Sequence, residues 1–281
     1  MKVLVTGANG QLGYDVIKRL NALGDEPVGA DREEFDITDA KVTEDYITAL
    51  RPDAIVHCAA YTAVDKAEDD RDTCRKVNVD GTRNIALACE KIGAKLVYIS
   101  SDYVFGGSGT QPLEIDAPKD PQNIYGITKL GGEEEAKKCQ KHFIVRTSWV
   151  FGINGGNFVK TMLRLADSHE KLTVVDDQTG SPTYTPDLAR LICDMIKTEK
   201  YGTYHASNEG YCTWAEFAKE IMRQAGKATE IVPCTTAEYP AKAKRPENSR
   251  LSKKCLDDAG FDRLPLWQDA LARFLKELDL A

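Results

Sequence analysis

Lys2-Val3-Leu4-Val5-Thr6-Gly7-Ala8-Asn9-Gly10-Gln11-Leu12-Gly13 stands at the start of the chain. Lys2 to Thr6 is a short β-branched run, which predicts a buried parallel strand. Leu12, Val16, Leu20 and Leu23 then recur at helical spacing and predict an amphipathic helix. A strand, a glycine loop and a helix in that order make a dinucleotide site. One glycine permits the tight turn, a second lets the backbone approach a pyrophosphate, and a third packs helix on strand. Gly7, Gly10 and Gly13 take these roles in turn, with Gln11 and Leu12 beside them at the helix N-terminus, where N–H groups face an anion. The G-x-x-G-x-x-G spacing is one residue longer than the usual fingerprint. A merely structural turn would not need three glycines on a period of three.

Working outward, Pro27 to Ala30 ends a second strand at Asp31-Arg32. An acid here accepts from the adenosine ribose hydroxyls, whereas the neighbouring arginine suits a 2′-phosphate. The two signals conflict, either could be a solvated loop charge, and the choice between NADPH and NADH stays open. Asp36 is read as an adenine-edge contact or, equally, a turn residue, and Thr38 or Asp39 as a helix cap. Ala54 to Ala60 is the next buried strand, ending in the small residues needed under a flat cofactor. Ala59, Ala60, Tyr61 and Thr62 are therefore placed beside the cofactor, and the loop continues along the crevice through Val64 and Asp65. His57, inside that apolar run, reads as a satisfied core histidine. Asn78 to Thr82 is expected to open another helix, with Asn78 structural.

Ala94 to Ile99 is a strand ending at Ser100-Ser101-Asp102-Tyr103. Ligands of an open α/β sheet sit beyond the carboxyl ends of its strands, where a serine can hydrogen-bond a substrate carbonyl. After a proline-rich loop comes Tyr125-Gly126-Ile127-Thr128-Lys129, which starts a helix rich in helix formers over Glu133 to Lys138. A tyrosine and a lysine four apart share one helix face. An ammonium beside a phenol is expected to lower the phenol pKa, making Tyr125 a general acid for a developing alkoxide. The spacing alone would equally describe an aromatic anchor and a solvated lysine. Ser101 supplies the reason to prefer chemistry, because it can converge with both over a nicotinamide.

Bulk properties narrow the field. The 281 residues are enough for one large domain or two unequal lobes, and 42% hydrophobic with 29% charged residues describes an ordinary globular protein. A net charge of -7 argues against nucleic-acid binding by bulk electrostatics. Met1 runs straight into the first strand, so no signal peptide is expected, and no apolar run reaches membrane-spanning length. The eight cysteines show no C-x-x-C pair or zinc spacing, which predicts reduced thiols in a cytoplasmic protein.

The glycine loop, the strand-end serine and Tyr125-x-x-x-Lys129 resemble the extended short-chain dehydrogenase/reductase family. Cys58-Ala59-Ala60-Tyr61-Thr62-Ala63-Val64-Asp65-Lys66-Ala67-Glu68, Ser101-Asp102-Tyr103-Val104-Phe105 and Arg146-Thr147-Ser148-Trp149 sharpen the match to its dTDP-4-dehydrorhamnose reductase branch. So do Gly156-Asn157-Phe158-Val159-Lys160-Thr161-Met162, Asp177-Gln178-x-Gly180-Ser181-Pro182-Thr183 and Arg245-Pro246-x-Asn248-Ser249. These segments run from residue 3 to about 251. The family commonly has threonine where Ser101 stands, a change that keeps the hydroxyl.

The resemblance implies an α/β protein with a Rossmann-type doubly wound parallel sheet and a smaller α/β substrate-binding lobe. The first would span 1–150, with 183–207 returning to it, and the second 151–281. It implies NAD(P)H-dependent reduction of a dTDP-4-keto-6-deoxy sugar, with Ser101 polarising the carbonyl, Tyr125 donating the proton and Lys129 also holding the nicotinamide ribose. Val64, Asp65, Ser101, Asp102, Tyr103, Trp149, Asn157, Arg245 and Asn248 would face the sugar nucleotide. Arg245, in a proline-stiffened loop, would take the diphosphate. Some family members form a magnesium-linked homodimer through acidic residues; Asp15 is the one candidate here, so no metal is expected, while a homodimer is still an expectation of the resemblance. The competing readings are another sugar-nucleotide reductase, an epimerase or dehydratase of the superfamily, or a non-catalytic NADP-binding subunit. A dehydratase commonly has an Asp-Glu pair after the serine, whereas Ser101 is followed by one acid. Intact Ser101, Tyr125 and Lys129 count against a regulatory subunit.

Overall fold

The computed structural model describes residues 1–279. Strand β1 (Lys2–Thr6) feeds helix α1 (Gln11–Ala22), followed by β2 (Glu26–Ala30), α2 (Ala40–Leu50) and β3 (Ala54–His57). Short helices α3 (Val64–Ala67) and α4 (Arg71–Arg75) lead through a π-helical turn at Lys76–Gly81 into α5 (Thr82–Ile92). Next come β4 (Lys95–Ser101), a 3-10 turn at Asp102–Val104, α6 (Ile124–Ala136) and β5 (His142–Thr147). The chain continues through β6 (Val150–Phe151), α7 (Phe158–Ala166), β7 (Lys171–Val175), β8 (Thr179–Gly180) and β9 (Thr183–Tyr184). It then forms α8 (Thr185–Ile196), β10 (Gly202–His205), β11 (Cys212–Thr213), α9 (Trp214–Gln224), β12 (Glu230–Cys234), α10 (Lys254–Ala259) and α11 (Trp267–Glu277).

Six strands make one parallel sheet in the order β2-β1-β3-β4-β5-β10. Such strands are covered on both faces, which explains their unbroken apolar runs. Successive side chains point to opposite sides. Val3 and Val5 therefore pack with Val16 and Leu20 of α1 and with Leu188 and Ile192 of α8. Leu4, between them, meets the opposite layer, where Ile47 of α2 and Ile85 of α5 lie. The winding reverses between β1 and β3, and ligands of doubly wound sheets bind at such a switch point. A separate core joins Phe151, Val159, Leu172, Phe217, Ile221, Leu271 and Phe274, with β7 and β12 paired in parallel beneath it.

Three local expectations differ from the structure. Helix α1 ends at Ala22, so Leu23 stands at its C-terminal cap and is exposed instead of continuing the buried stripe. Strand β3 stops at His57 and not Ala60, because after Cys58 N–H bonds to the Thr6 carbonyl the backbone passes beneath Gly7. Asn78 opens no helix. It sits inside one helical run from Arg71 to Ile92, and its side chain turns inward to the Tyr61 backbone instead of capping.

One buried ion pair ties the central layers together. Arg146 of β5 donates through Nε and Nη2 to the two Glu133 carboxylate oxygens of α6, each at 2.7 Å. Glu133 also accepts from Ser100 of β4 at 2.6 Å, and Arg146 Nη1 donates to the Ile115 carbonyl at 2.8 Å. Both charges are buried, so their geometry must be satisfied in full for the pair to be tolerated. Glu133→Ala should lower the unfolding free energy by about 3–5 kcal/mol, measured by urea denaturation, since it leaves a guanidinium buried without its partner. A double change to Glu133→Leu with Arg146→Met should cost much less. A loss below about 1 kcal/mol in the single variant would mean that the pair does not hold the layers.

Candidate active site

A cavity of about 1060 Å³ opens beyond the carboxyl ends of β1, β3 and β4. The glycine loop forms one end of it, with Gly7, Gly10, Gln11, Leu12 and Gly13 all on the wall. Gly7 holds a φ of +68°, and a Cβ there would meet the Ala59 nitrogen at 2.7 Å. A Cβ on Gly13 would lie 2.1 Å from the Gly7 carbonyl oxygen, so the helix can approach the turn only without one. No side chain caps α1 at Gly10, and its first turn carries no acid. The first N–H groups of a helix lack intrahelical acceptors, and here they face the cavity as an anion site.

Farther along the wall lie Asp31, Arg32 and Asp36, together with Phe35, Ile37 and Thr38. Asp31 accepts the Asn9 N–H at 2.9 Å, which sets its carboxylate against the glycine loop. The Arg32 side chain is 89% exposed, 3.8 Å from Asp36. Asp36 accepts from the Thr38 N–H at 2.9 Å and its hydroxyl at 2.8 Å. These bonds hold its carboxyl below the ordinary range. Asp36 thus serves the turn while still lining the cavity, and the cap of α2 falls to Asp39.

The opposite end carries the reactive groups. Asn123 caps α6 by accepting the Gly126 N–H at 2.8 Å, which sets Tyr125 and Lys129 one turn apart on the cavity wall. Asn78 donates to Thr128 of the same helix at 3.0 Å and accepts the Tyr61 N–H at 2.8 Å. It so aligns α6 with the loop carrying Ala59, Ala60, Thr62 and Val64, all on the wall. Ser101, Asp102 and Tyr103 arrive from the end of β4, Tyr103 meeting the Tyr125 ring edge-on at 5.4 Å. Trp149 closes this end, its backbone at a φ of +50° and its indole stacked 3.7 Å from Trp214. His57 is confined to the core between the Thr6 and Thr82 hydroxyls, and burial drives it down to about 3.

The expected electrostatics of the Tyr125–Lys129 pair need correction. Burial raises the Tyr125 phenol well above its ordinary value, with the neighbouring Ser101 hydroxyl pulling the other way. Lys129 does not depress it. Burial pushes Lys129 itself down to about 7, opposed mainly by the Glu133 carboxylate, and its ammonium lies 4.2 Å from the centre of the Tyr98 ring. The phenol is therefore held protonated at neutral pH, the state a proton donor needs.

Five residues expected at the site do not line the cavity. Tyr61 is held by its backbone to Asn78, and its hydroxyl turns to Asp70. Asp65 and Arg245, both assigned to the sugar nucleotide, pair with each other at 2.6 Å. Arg245 also donates to the Tyr103 hydroxyl at 3.3 Å, so its guanidinium braces a wall residue while paired with a carboxylate. Asn157 caps α7, accepting the Lys160 N–H at 3.0 Å, and touches the site only through Gln11. Asn248 is buried and locks a loop by donating to the Gln111 carbonyl at 2.9 Å.

The structure adds Thr73, Lys76, Thr147, Ser148, Gly155 and Gly156 to the wall. Thr147 and Ser148 follow from the strand-end rule applied to β5 as well as β4; Lys76, inside a helical run, carried no signal. Among the described residues the buried Thr147 hydroxyl has no partner, a polar group left for a ligand. Together with the glycine cradle and the open helix terminus, it fits a dinucleotide. Asp15 instead accepts the Thr185 hydroxyl at 2.5 Å inside the fold, and among the described residues no cluster of three acidic, histidine or cysteine groups could hold a metal.

Residues 1–280 match the family described as RmlD substrate binding domain. The spore coat polysaccharide biosynthesis protein SpsK of Bacillus subtilis (strain 168) is 44% identical over 277 residues, covering 98% of this chain and 97% of that protein. The dTDP-4-dehydrorhamnose reductase of Escherichia coli (strain K12) is 38% identical over 294 residues, covering 99% and 98%. Among solved structures, dTDP-4-dehydrorhamnose reductase from Bacillus anthracis str. Ames in complex with NADP aligns with a TM-score of 0.96 at 45% identity, covering 98% of this chain and 99% of that one.

Burying Lys129 has a cost that depends on pH. Its pKa falls from an ordinary 10.5 to about 7 on folding, so between those values the unfolded chain binds more protons. Stability from this group therefore rises with pH across that window, and the penalty is complete below its lower edge. Lys129→Met should stabilise the protein at and below pH 7, by an amount of the order of a few kcal/mol. The gain should shrink to nothing toward pH 10.5, as followed by urea midpoints over a pH series. A difference that does not vary with pH would contradict this account of the lysine.

Proposed function

Because the chain belongs to the RmlD substrate-binding-domain family, we propose that it is an NAD(P)H-dependent oxidoreductase reducing dTDP-4-dehydro-L-rhamnose to dTDP-L-rhamnose, a precursor of cell-surface polysaccharide. The observation that carries this reading is the convergence of the glycine loop, Ser101, Tyr125 and Lys129 on one cavity. Reductases of that name span nearly the whole chain, and the Bacillus anthracis relative holds NADP.

When bound, the nicotinamide supplies the hydride chemistry. The chain's own residues bind, orient and move a proton. The first-turn amides of α1 take the pyrophosphate, and Asp31 with Arg32 faces the adenosine ribose, one suited to a free hydroxyl and the other to a phosphate. Tyr125, kept protonated by burial, gives its phenolic proton to the sugar oxygen. Lys129, on the same helix face, would hold the nicotinamide ribose, and Ser101, on the same cavity wall as the phenol, would hydrogen-bond the carbonyl. Val64, Asp102, Tyr103 and Trp149 wall the space for the sugar. We also place the protein in a reducing compartment, the cytoplasm, a reading supported by its eight unpaired cysteines. Among the described residues no helix is long and apolar enough to cross a membrane.

Incubation with NADPH and the keto-sugar nucleotide, with the product identified by NMR, tests the reading. Stoichiometric oxidation of NADPH with formation of dTDP-L-rhamnose is expected; an epimerised keto sugar without net oxidation would point to the epimerase alternative. Tyr125→Phe keeps the ring packing and removes the donor. Its turnover should fall by roughly two to four orders of magnitude, the worth of general acid catalysis, with NADPH affinity barely changed. Near wild-type turnover in that variant would sink the assignment of the proton donor.

A further inference from the structure

The Ser101 hydroxyl has a single proton, and the fold already engages it. Ser101 Oγ donates to Asp102 Oδ1 at 2.8 Å and accepts the Tyr103 N–H at 3.2 Å. The other carboxyl oxygen, Asp102 Oδ2, accepts the Ser249 hydroxyl at 2.5 Å. Asp102 and Ser249 are both buried, although Ser249 lies 147 positions along the chain. Its loop is pinned by the Ser249 N–H to the Thr179 carbonyl at 2.8 Å, and Arg245 of the same loop reaches the Tyr103 hydroxyl. A distant segment thus grips both residues that follow the serine.

An ionised carboxylate only accepts. While Asp102 carries charge, the Ser101 proton stays with it, and the serine shows the cavity a lone pair that cannot hydrogen-bond a carbonyl oxygen. A proton on Asp102 reverses that bond. The carboxylic acid then donates to Ser101 Oγ, and the serine's own proton is free to turn toward the substrate. We propose that Asp102, clamped by Ser249, is a positioning residue for the reduction, acting as the neutral acid that aims the Ser101 hydroxyl at the sugar carbonyl.

The surroundings suit this role. Burial pushes the Asp102 carboxyl up to about 6, while the bonds from Ser249 and Ser101 pull the other way. The titratable groups facing it are Tyr103 on its own turn and Tyr125 on α6, with Arg245 and Asp65 beyond Tyr103. Lys129 faces Glu133, Cys58 and Cys74 instead. Asp102 therefore titrates against phenols that are uncharged at neutral pH.

The inference rests on the reductase reading. Absence of turnover by the wild-type protein would remove that reading, whereas the comparisons below remove the inference alone. At saturating NADPH and sugar nucleotide, wild-type kcat should fall about tenfold per pH unit above the Asp102 titration. Asp102→Asn, whose amide N–H donates to Ser101 at every pH, should lack that limb and keep kcat within about tenfold of the wild-type plateau. Ser249→Ala removes a bond to the charged form, so its limb should move to higher pH by about one to two units, with KM little changed. Purely structural damage would lower kcat and leave the limb in place. A limb unmoved in both variants would belong to Lys129 and overturn the proposal. Infrared difference spectra of the protein without substrate give a reading apart from turnover. The protonated-carboxyl absorption that titrates near 6 should lose one group's intensity in Asp102→Asn and titrate at higher pH in Ser249→Ala; the same intensity in Asp102→Asn would equally overturn the assignment.

Discussion

The bidentate contact between Arg146 and Glu133 is the constraint on which the rest of the molecule depends. Three elements reach it: α6 through Glu133, β5 through Arg146, and β4 through Ser100. Each of the three also ends at the cavity, with Tyr125 and Lys129 on α6, Thr147 just past Arg146, and Ser101 just past Ser100. An error of one helical turn at Glu133 would carry Lys129 away from the wall. The carboxylate has a second effect, because it is the principal charge opposing the loss of the Lys129 proton on burial. One buried pair thereby fixes both the position and the charge balance of the site. Charge-assisted bidentate bonds are among the few contacts directional enough to do this in an apolar layer.

The cavity walls are held by contacts of long sequence range. Trp149 adopts a left-handed backbone conformation, and its stacking on Trp214 and close approach to Gly180 keep it there. Such conformations persist where the surroundings over-determine them, and they concentrate at functional sites. Asn154 donates to the Asn9 carbonyl at 2.6 Å, and Asn157 to Gln11 at 3.1 Å. The segment after β6 is therefore laid directly on the glycine loop. Both halves of the chain contribute to the geometry of the reactive end.

Much of this could be read from the sequence where the signal is local. The glycine loop announces itself by spacing, since Gly7 and Gly13 occupy positions where a Cβ would strike backbone. Tyr125 and Lys129 are legible because a helix converts an interval of four into a shared face. The expected site residues that stand off the cavity wall share one physical feature. Arg245, Asp65, Asn157 and Asn248 are polar residues in distinctive motifs, and a polar motif looks the same whether it meets a ligand or another part of the fold. Asn157 is taken by its own helix, and the other partners lie far off in sequence: Asp65 is 180 positions from Arg245, and Gln111 is 137 from Asn248. The direction of the Tyr125 shift differs from the sequence expectation for a related reason. Pairing a phenol with an ammonium presumes a charged lysine in water, whereas in the structure burial is the largest influence on both groups.

The central claim is that this cavity brings a hydride donor and a sugar carbonyl together. The most direct measurement uses NADPH carrying deuterium at the transferable position of the nicotinamide, with the keto-sugar nucleotide as acceptor, and locates the label in the product by NMR and mass spectrometry. The account predicts one deuterium bonded to the former carbonyl carbon, in a single configuration. Product without label at that carbon, or label exchanged at a neighbouring carbon with the carbonyl intact, would contradict it.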